Sequence, residues 1–137
     1  MQVIKDFTFD AAHRLVKGYQ GKCQMLHGHT YKVEVLLSST VLDQYDMVIN
    51  FDEIKSRLKA WVDEHWDHAT ILNISDTALR EWLIAQCQKH YVLEGNPTAE
   101  KLAHILYLKA LYMFPDVAVG QVRVWETPTS SAVCTHE

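Results

Sequence analysis

The sequence predicts an α+β domain in which an antiparallel four-stranded sheet carries its helices on one face. Apolar residues alternate with polar ones near the start of the chain, at Phe7, Phe9, Ala11 and His13 and again at Tyr31, Val33, Val35 and Leu37. That is the period of a half-buried strand. The middle of the chain changes to a spacing of three and four residues, and alternation returns after Pro115. The order is therefore β-β-α-α-α-β-β, two hairpins flanking a helical block, which packs most simply as one sheet with helices on a single side.

Each element has its own signal. Residues 3–13 and 29–38 read as the first two strands, with 14–26 as the loop between them. Asn50 opens the first helix as N-cap, with Glu53 three residues later completing a capping box. Its apolar residues Phe51, Ile54, Leu58, Trp61, Val62 and His65 recur at three and four. A second helix fits 76–90, with Ser75 as cap and Leu79, Trp82, Leu83 and Cys87 on one face. The third follows the turn Asn96-Pro97-Thr98, and its stripe Leu102, Ile105, Leu106, Lys109, Met113 ends before Pro115. Strands over 119–126 and 131–135, broken by Pro128, close the chain. A four-stranded sheet leaves two edges, and edges are commonly paired with another chain, so a homo-oligomer is expected.

The 137 residues form a single domain, 1–137, large enough for its own core. A net charge of -4 without a Lys/Arg cluster argues against a nucleic-acid partner. No apolar run reaches the roughly 18 residues of a membrane helix, and Met1 to Asp6 lack a signal-peptide core, so no membrane role and a cytoplasmic location are expected. Three cysteines, at 23, 87 and 134, are too few and too scattered for a disulfide framework. Lys5, Arg14, Lys17, Lys22 and Lys32 are the cations available for an anionic ligand near the first two strands.

The chemistry concentrates in His27-Gly28-His29, preceded by Cys23 and, earlier, by His13. Histidines two apart on a strand project from one face, and His13 ends another apolar strand face. Three imidazoles on one zinc leave an open fourth position, the mark of a catalytic rather than a structural site. Cys23 lies within about 14 Å of extended chain of His27, in reach as ligand or as base. Asp67 fixes the tautomer of His68 only where the two side chains converge; a solvated helix end is the alternative. Glu126 follows Val122 and Val124 in parity, which turns its carboxylate inward, where a donor such as an amino-heterocycle offsets burial; exposure at a frayed strand end is the alternative. Glu100 reads as a first-turn acid complementing the helix dipole.

Taken together, Phe7-Thr8-Phe9-Asp10-Ala11-Ala12-His13, Cys23-Gln24-Met25-Leu26-His27-Gly28-His29, Asp67-His68, Pro97-Thr98-Ala99-Glu100 and Glu126-Thr127 resemble the 6-pyruvoyl-tetrahydropterin synthase family. The three residues between Cys23 and His27 resemble its 6-carboxy-tetrahydropterin synthase branch, which belongs to queuosine biosynthesis. The resemblance implies a tunnelling fold in which sheets of several subunits join into a barrel with active sites between subunits. It implies zinc on His13, His27 and His29, Cys23 as base, Asp67 and His68 as acid/base partners from a neighbouring subunit, and Glu126 as anchor for the pterin, with Thr98 and Glu100 lining the pocket. The implied reaction is conversion of 7,8-dihydroneopterin triphosphate to 6-carboxy-5,6,7,8-tetrahydropterin, acetaldehyde and triphosphate by a zinc-dependent lyase. Three features depart from the family pattern: Asn50 in place of an aspartate, a longer segment at 74–95, and a tail without its usual aromatic. The rival readings are a pyruvoyl-type synthase or dihydroneopterin aldolase on the same fold and, from another class, a non-catalytic zinc-stabilised pterin-binding module in which Cys23 closes a His3Cys site.

Overall fold

The computed structural model describes residues 1–136. Strands β1 (Gln2–His13) and β2 (His27–Ser38) form a long antiparallel ladder. A helical stretch follows, made of α1 (Phe51–Ile54), a π-turn (Lys55–Lys59) and α2 (Ala60–His65). Then come β3 (Ala69–Asn73), α3 (Thr77–Ala85), β4 (His90–Leu93), α4 (Ala99–Met113), β5 (Ala118–Thr127) and β6 (Ser130–Thr135). The six strands lie in one sheet in the order β4-β3-β1-β2-β5-β6.

The α+β class holds, but the four-stranded antiparallel sheet is corrected to a mixed sheet of six. The two added strands, β3 and β4, run parallel to β1 and to each other. All five residues of β3 are buried, so Ala69-Thr70-Ile71-Leu72-Asn73 shows none of the alternation of a half-exposed strand. In β4 the shortness hides the signal: four residues cannot establish a period. Parallel neighbours require a crossover, and α3 supplies it. That shortens the second helix, which ends at Ala85 rather than at 90 because Cys87 takes a left-handed conformation (φ 53°) and starts the turn into β4. Its cap is Asp76, one residue later than the sequence suggests.

The inward residues of β1, β2 and β5 meet the first helical stretch and α4 in one core. The helices are not all on one face as expected: Leu79 and Leu83 of α3 pack with Leu72 in a second cluster, and Leu72 points opposite to its neighbour Ile71, which belongs to the main core. Phe9, Tyr31, Val33, Val35, Leu37, Val122 and Val124 pack with Ile54, Leu58, Val62 and Trp66 and with Leu102, Leu106 and Ala110 of α4. Full burial of each such side chain contributes about 1.5–3 kcal/mol, which fixes the face that every strand turns inward. The first helix keeps only part of its expected face: Ile54, Leu58 and Val62 are buried, whereas Phe51 is exposed. Asn50 caps it as expected, its side chain accepting from the Asp52 N–H at 2.9 Å. The edges of the sheet are β4 and β6.

Candidate metal centre and ligand pocket

The register of β1 on β2 creates the site. His13 lies directly opposite His27, and His29 lies opposite Ala11. Opposed residues of an antiparallel pair share a face, and the diagonal neighbour is still in reach, so three imidazoles converge at the inward end of the ladder. The small Ala11 leaves room beside His29. Ring centroids are 4.6 Å apart for His13 and His27, 5.0 Å for His13 and His29, and 4.8 Å for His27 and His29. One ligand atom from each ring lies within 4.8 Å of the others.

Hydrogen bonds set the tautomers. His13 Nδ1 is 2.7 Å from the Pro97 carbonyl and His27 Nδ1 is 2.6 Å from the Met25 carbonyl. A carbonyl only accepts, so both rings carry their proton on Nδ1 and turn a lone pair outward at Nε2. Those two Nε2 atoms face each other at 3.1 Å. Two lone pairs in that position repel unless a cation or a proton lies between them. His29 Nε2 is buried without a hydrogen-bond partner among the described residues. Three convergent imidazole nitrogens, one of them orphaned and two opposed, fit a bound metal ion.

Burial lowers the His13 imidazole below its ordinary value, opposed by the Pro97 carbonyl and the Glu126 charge and assisted by the neighbouring imidazoles. His29 is lowered for the same first reason, with Glu126 again opposing and His27 assisting. The neutral ring is the ligating form. Beneath them Tyr31 stacks on Phe9 at 4.9 Å and meets His29 edge-on at 5.5 Å. Burial first, and then the Glu126 charge, push its phenol far above the usual range.

Glu126 reaches the cluster by the inward parity of β5. Its Oε1 lies 3.7 Å from His29 Nε2. The register of β5 on β6 slips at this residue, where Trp125 pairs with Ser131 and Thr127 with Ser130, so Glu126 sits in a bulge that leaves it unpaired on that side. Glu126 also lines a cavity of about 230 Å³ with Thr98, Glu100, Ser130 and Ser131. Thr98 has a second task there: its hydroxyl accepts from the Lys101 N–H at 3.3 Å and caps α4. An adjoining cavity is shared by His29, Glu126, Thr30, Lys32 and Trp125.

The remaining expected catalytic residues are outside the set of three convergent imidazoles. Cys23 sits on a single 3-10 turn, Lys22–Gln24, half-buried, and is outside the set of mutually close ligand atoms. Tyr19 lies beside it, and interaction with Cys23, electrostatic first and then through hydrogen bonding, raises the Tyr19 phenol above its ordinary value. Asp67 and His68 do converge: Asp67 Oδ2 accepts from His68 Nδ1 at 2.9 Å, while Oδ1 accepts from the Asp10 N–H at 2.9 Å. Burial pushes the Asp67 carboxyl up, but the Asp10 N–H, His68 and Lys89 together hold it below its usual value. His68 lines a cleft with Asp10, Ala12, Gly28, Thr30 and Lys89, and His29 of the imidazole cluster borders the same cleft.

Of the cations expected near the site, Arg14 is committed elsewhere. Its guanidinium forks onto Asp76 at 2.6 and 2.7 Å, and this pairing holds the Asp76 carboxyl below its ordinary value. Pro97 and Met25 act through backbone carbonyls, a role no side-chain pattern signals. Asn96, read only as part of a turn, is likewise built into the site's support.

The sequence matches the family described as 6-pyruvoyl tetrahydropterin synthase over residues 2–137. A 6-carboxy-5,6,7,8-tetrahydropterin synthase of Rickettsia felis is 41% identical over 128 residues, covering 88% of this chain and 89% of that protein. Among solved structures, an uncharacterized protein from Wolinella succinogenes aligns with a TM-score of 0.86 at 27% identity over 100% of this chain and 98% of that one. The 6-pyruvoyl tetrahydropterin synthase of Caenorhabditis elegans aligns at 0.73 and 23% identity over 100% and 96%, a likeness in fold.

Proposed function

The chain belongs to the 6-pyruvoyl tetrahydropterin synthase family, and from that premise we propose that it catalyses the 6-carboxy-5,6,7,8-tetrahydropterin synthase reaction. It is a lyase. The substrate is 7,8-dihydroneopterin triphosphate, which with one water yields 6-carboxy-5,6,7,8-tetrahydropterin, acetaldehyde and triphosphate, a step toward queuosine. The observation that carries this reading is the convergence of three imidazoles beside the Glu126 carboxylate, which lies 3.7 Å from His29 and lines a cavity. The carboxy product is favoured over the pyruvoyl one by the name of the Rickettsia felis relative and by the three residues between Cys23 and His27.

Zinc is the metal suited to three neutral imidazoles with a fourth position open, and on His13, His27 and His29 it would supply Lewis acidity toward the substrate's side-chain hydroxyls. The protein's own groups do the rest. Glu126 accepts hydrogen bonds from the pterin's ring N–H and amino group, a two-point contact that fixes the ring's register. Thr98 and Glu100 line the same pocket. The Cys23 sulfur takes the carbon-bound proton from the side chain, and proton relocation leaves the ring reduced before the side chain is cleaved. Asp67 orients His68 for proton transfer. As the family resemblance implies, the pair serves a neighbouring subunit's site, with subunits joined across the sheet edges β4 and β6.

Incubating the zinc-loaded protein with 7,8-dihydroneopterin triphosphate should give 6-carboxy-tetrahydropterin and acetaldehyde in equal amounts by chromatography with mass detection. A pyruvoyl product would select the rival synthase, and bound but unchanged pterin would select the binding module. The anchor has its own test. Charge-assisted hydrogen bonds contribute roughly 1.5–3 kcal/mol each, so Glu126→Ala should weaken substrate binding by at least about tenfold with zinc content unchanged. Calorimetry giving parent affinity would remove Glu126 from the pterin contact.

A further inference from the structure

We propose that Asn96 is a positioning residue for Cys23. This rests on the reading of Cys23 as the base. The loop 14–26 that carries Cys23 contains no fully buried residue, so packing does not hold it. The 3-10 turn Lys22–Gln24 buries nothing either. Polar contacts decide where the sulfur sits, and they run through residues 14–16.

The Asn96 carboxamide bridges both main-chain groups of Val16. Its Oδ1 accepts from the Val16 N–H at 3.0 Å and its Nδ2 donates to the Val16 carbonyl at 3.1 Å. That double exchange is the pairing a strand residue offers its opposite, here made by a side chain across 80 residues of sequence. Asn73, buried at the end of β3, donates to the same Oδ1 at 3.2 Å and fixes which way the amide points. Two residues before Val16, Arg14 is forked onto Asp76. Between these anchors the Leu15 N–H donates to the Cys23 carbonyl at 2.9 Å. Residues 14–16 are thus held from the framework by Asn96 and Asp76 and carry Cys23 through Leu15. Asn96 also leads into Pro97, whose carbonyl sets the His13 tautomer, so one turn aligns the metal ligand and the thiol.

The test uses zinc-loaded full-length protein. Asn96→Ala should lower kcat by about tenfold or more, since misplacement of a reacting group by about 1 Å suffices for that, with KM within about twofold and zinc content retained. Carbamidomethylation of Cys23 by iodoacetamide, followed by mass spectrometry with Cys87 and Cys134 as internal references, should accelerate about fivefold as the loop loosens. Asn96→Asp keeps both acceptor contacts but replaces the donor to Val16 by an oxygen that repels the Val16 carbonyl; it should move both readouts in the same direction as the alanine variant, and it carries the test if that variant does not fold. Parent kcat and parent Cys23 labelling in either folded variant, even with a lowered Tm, would overturn the proposal. Undiminished turnover in Cys23→Ala would instead overturn the base reading, and the labelling rate would still report on the positioning.

Discussion

Cys23→Ala should lose turnover by about 100-fold or more while binding zinc and substrate as the parent does, because removal of a positioned general base costs a factor of 10² to 10⁴. The expectation that zinc stays rests on geometry. The convergent ligand atoms belong to His13, His27 and His29, and Cys23 stands outside that set. Its neighbour is instead Tyr19, whose phenol it raises, and its carbonyl accepts from the Leu15 N–H. Steady-state kinetics beside metal analysis separates the outcomes. Near-parent turnover would rule out the base, and loss of zinc with the sulfur would place Cys23 in the ligand set, as a closed binding site requires. Mixing Cys23→Ala and His68→Ala proteins should restore part of the activity if the two residues meet across a subunit boundary.

His27→Ala should weaken zinc binding by about 100-fold or more. Even removal of a partner behind a ligand costs 10- to 100-fold in metal affinity, and removal of the ligand itself takes more of the binding energy. His27 is the centre of the set: its Nε2 faces that of His13 at 3.1 Å, and its ring lies 4.8 Å from that of His29. Without it, two nitrogens remain, and the Met25 carbonyl loses its donor. Zinc per chain after dialysis against a weak chelator is the readout. His90→Ala is the control, since that ring, at the start of β4, is engaged with the Gln88 carbonyl, and its loss should leave metal content unchanged. Full zinc in dialysed His27→Ala protein would end the assignment.

Some of this architecture is written in local pattern. Period-two alternation determined β1, β2 and β5, because each turns one face to the helices and the other away from them. The same parity put His13, His27, His29 and Glu126 on inward faces, and cap chemistry marked Asn50 as a helix start. Other features needed the folded chain. Strand β3 is buried along its whole length, so its sequence has no polar face to alternate with, and β4 is too short to show a period. The ligand set depended on register: sequence placed His13 and His27 on strands, but only the pairing of His13 with His27 brought their nitrogens to 3.1 Å, and a slip of one residue would have turned them to opposite faces. Likewise the carbonyls of Pro97 and Met25, the Asn96 bridge and the fork of Arg14 on Asp76 join groups far apart in sequence or backbone atoms common to every residue. Side-chain identity and spacing encode which face a residue takes; distance between faces is set by how the strands pair, and that is a property of the tertiary structure alone.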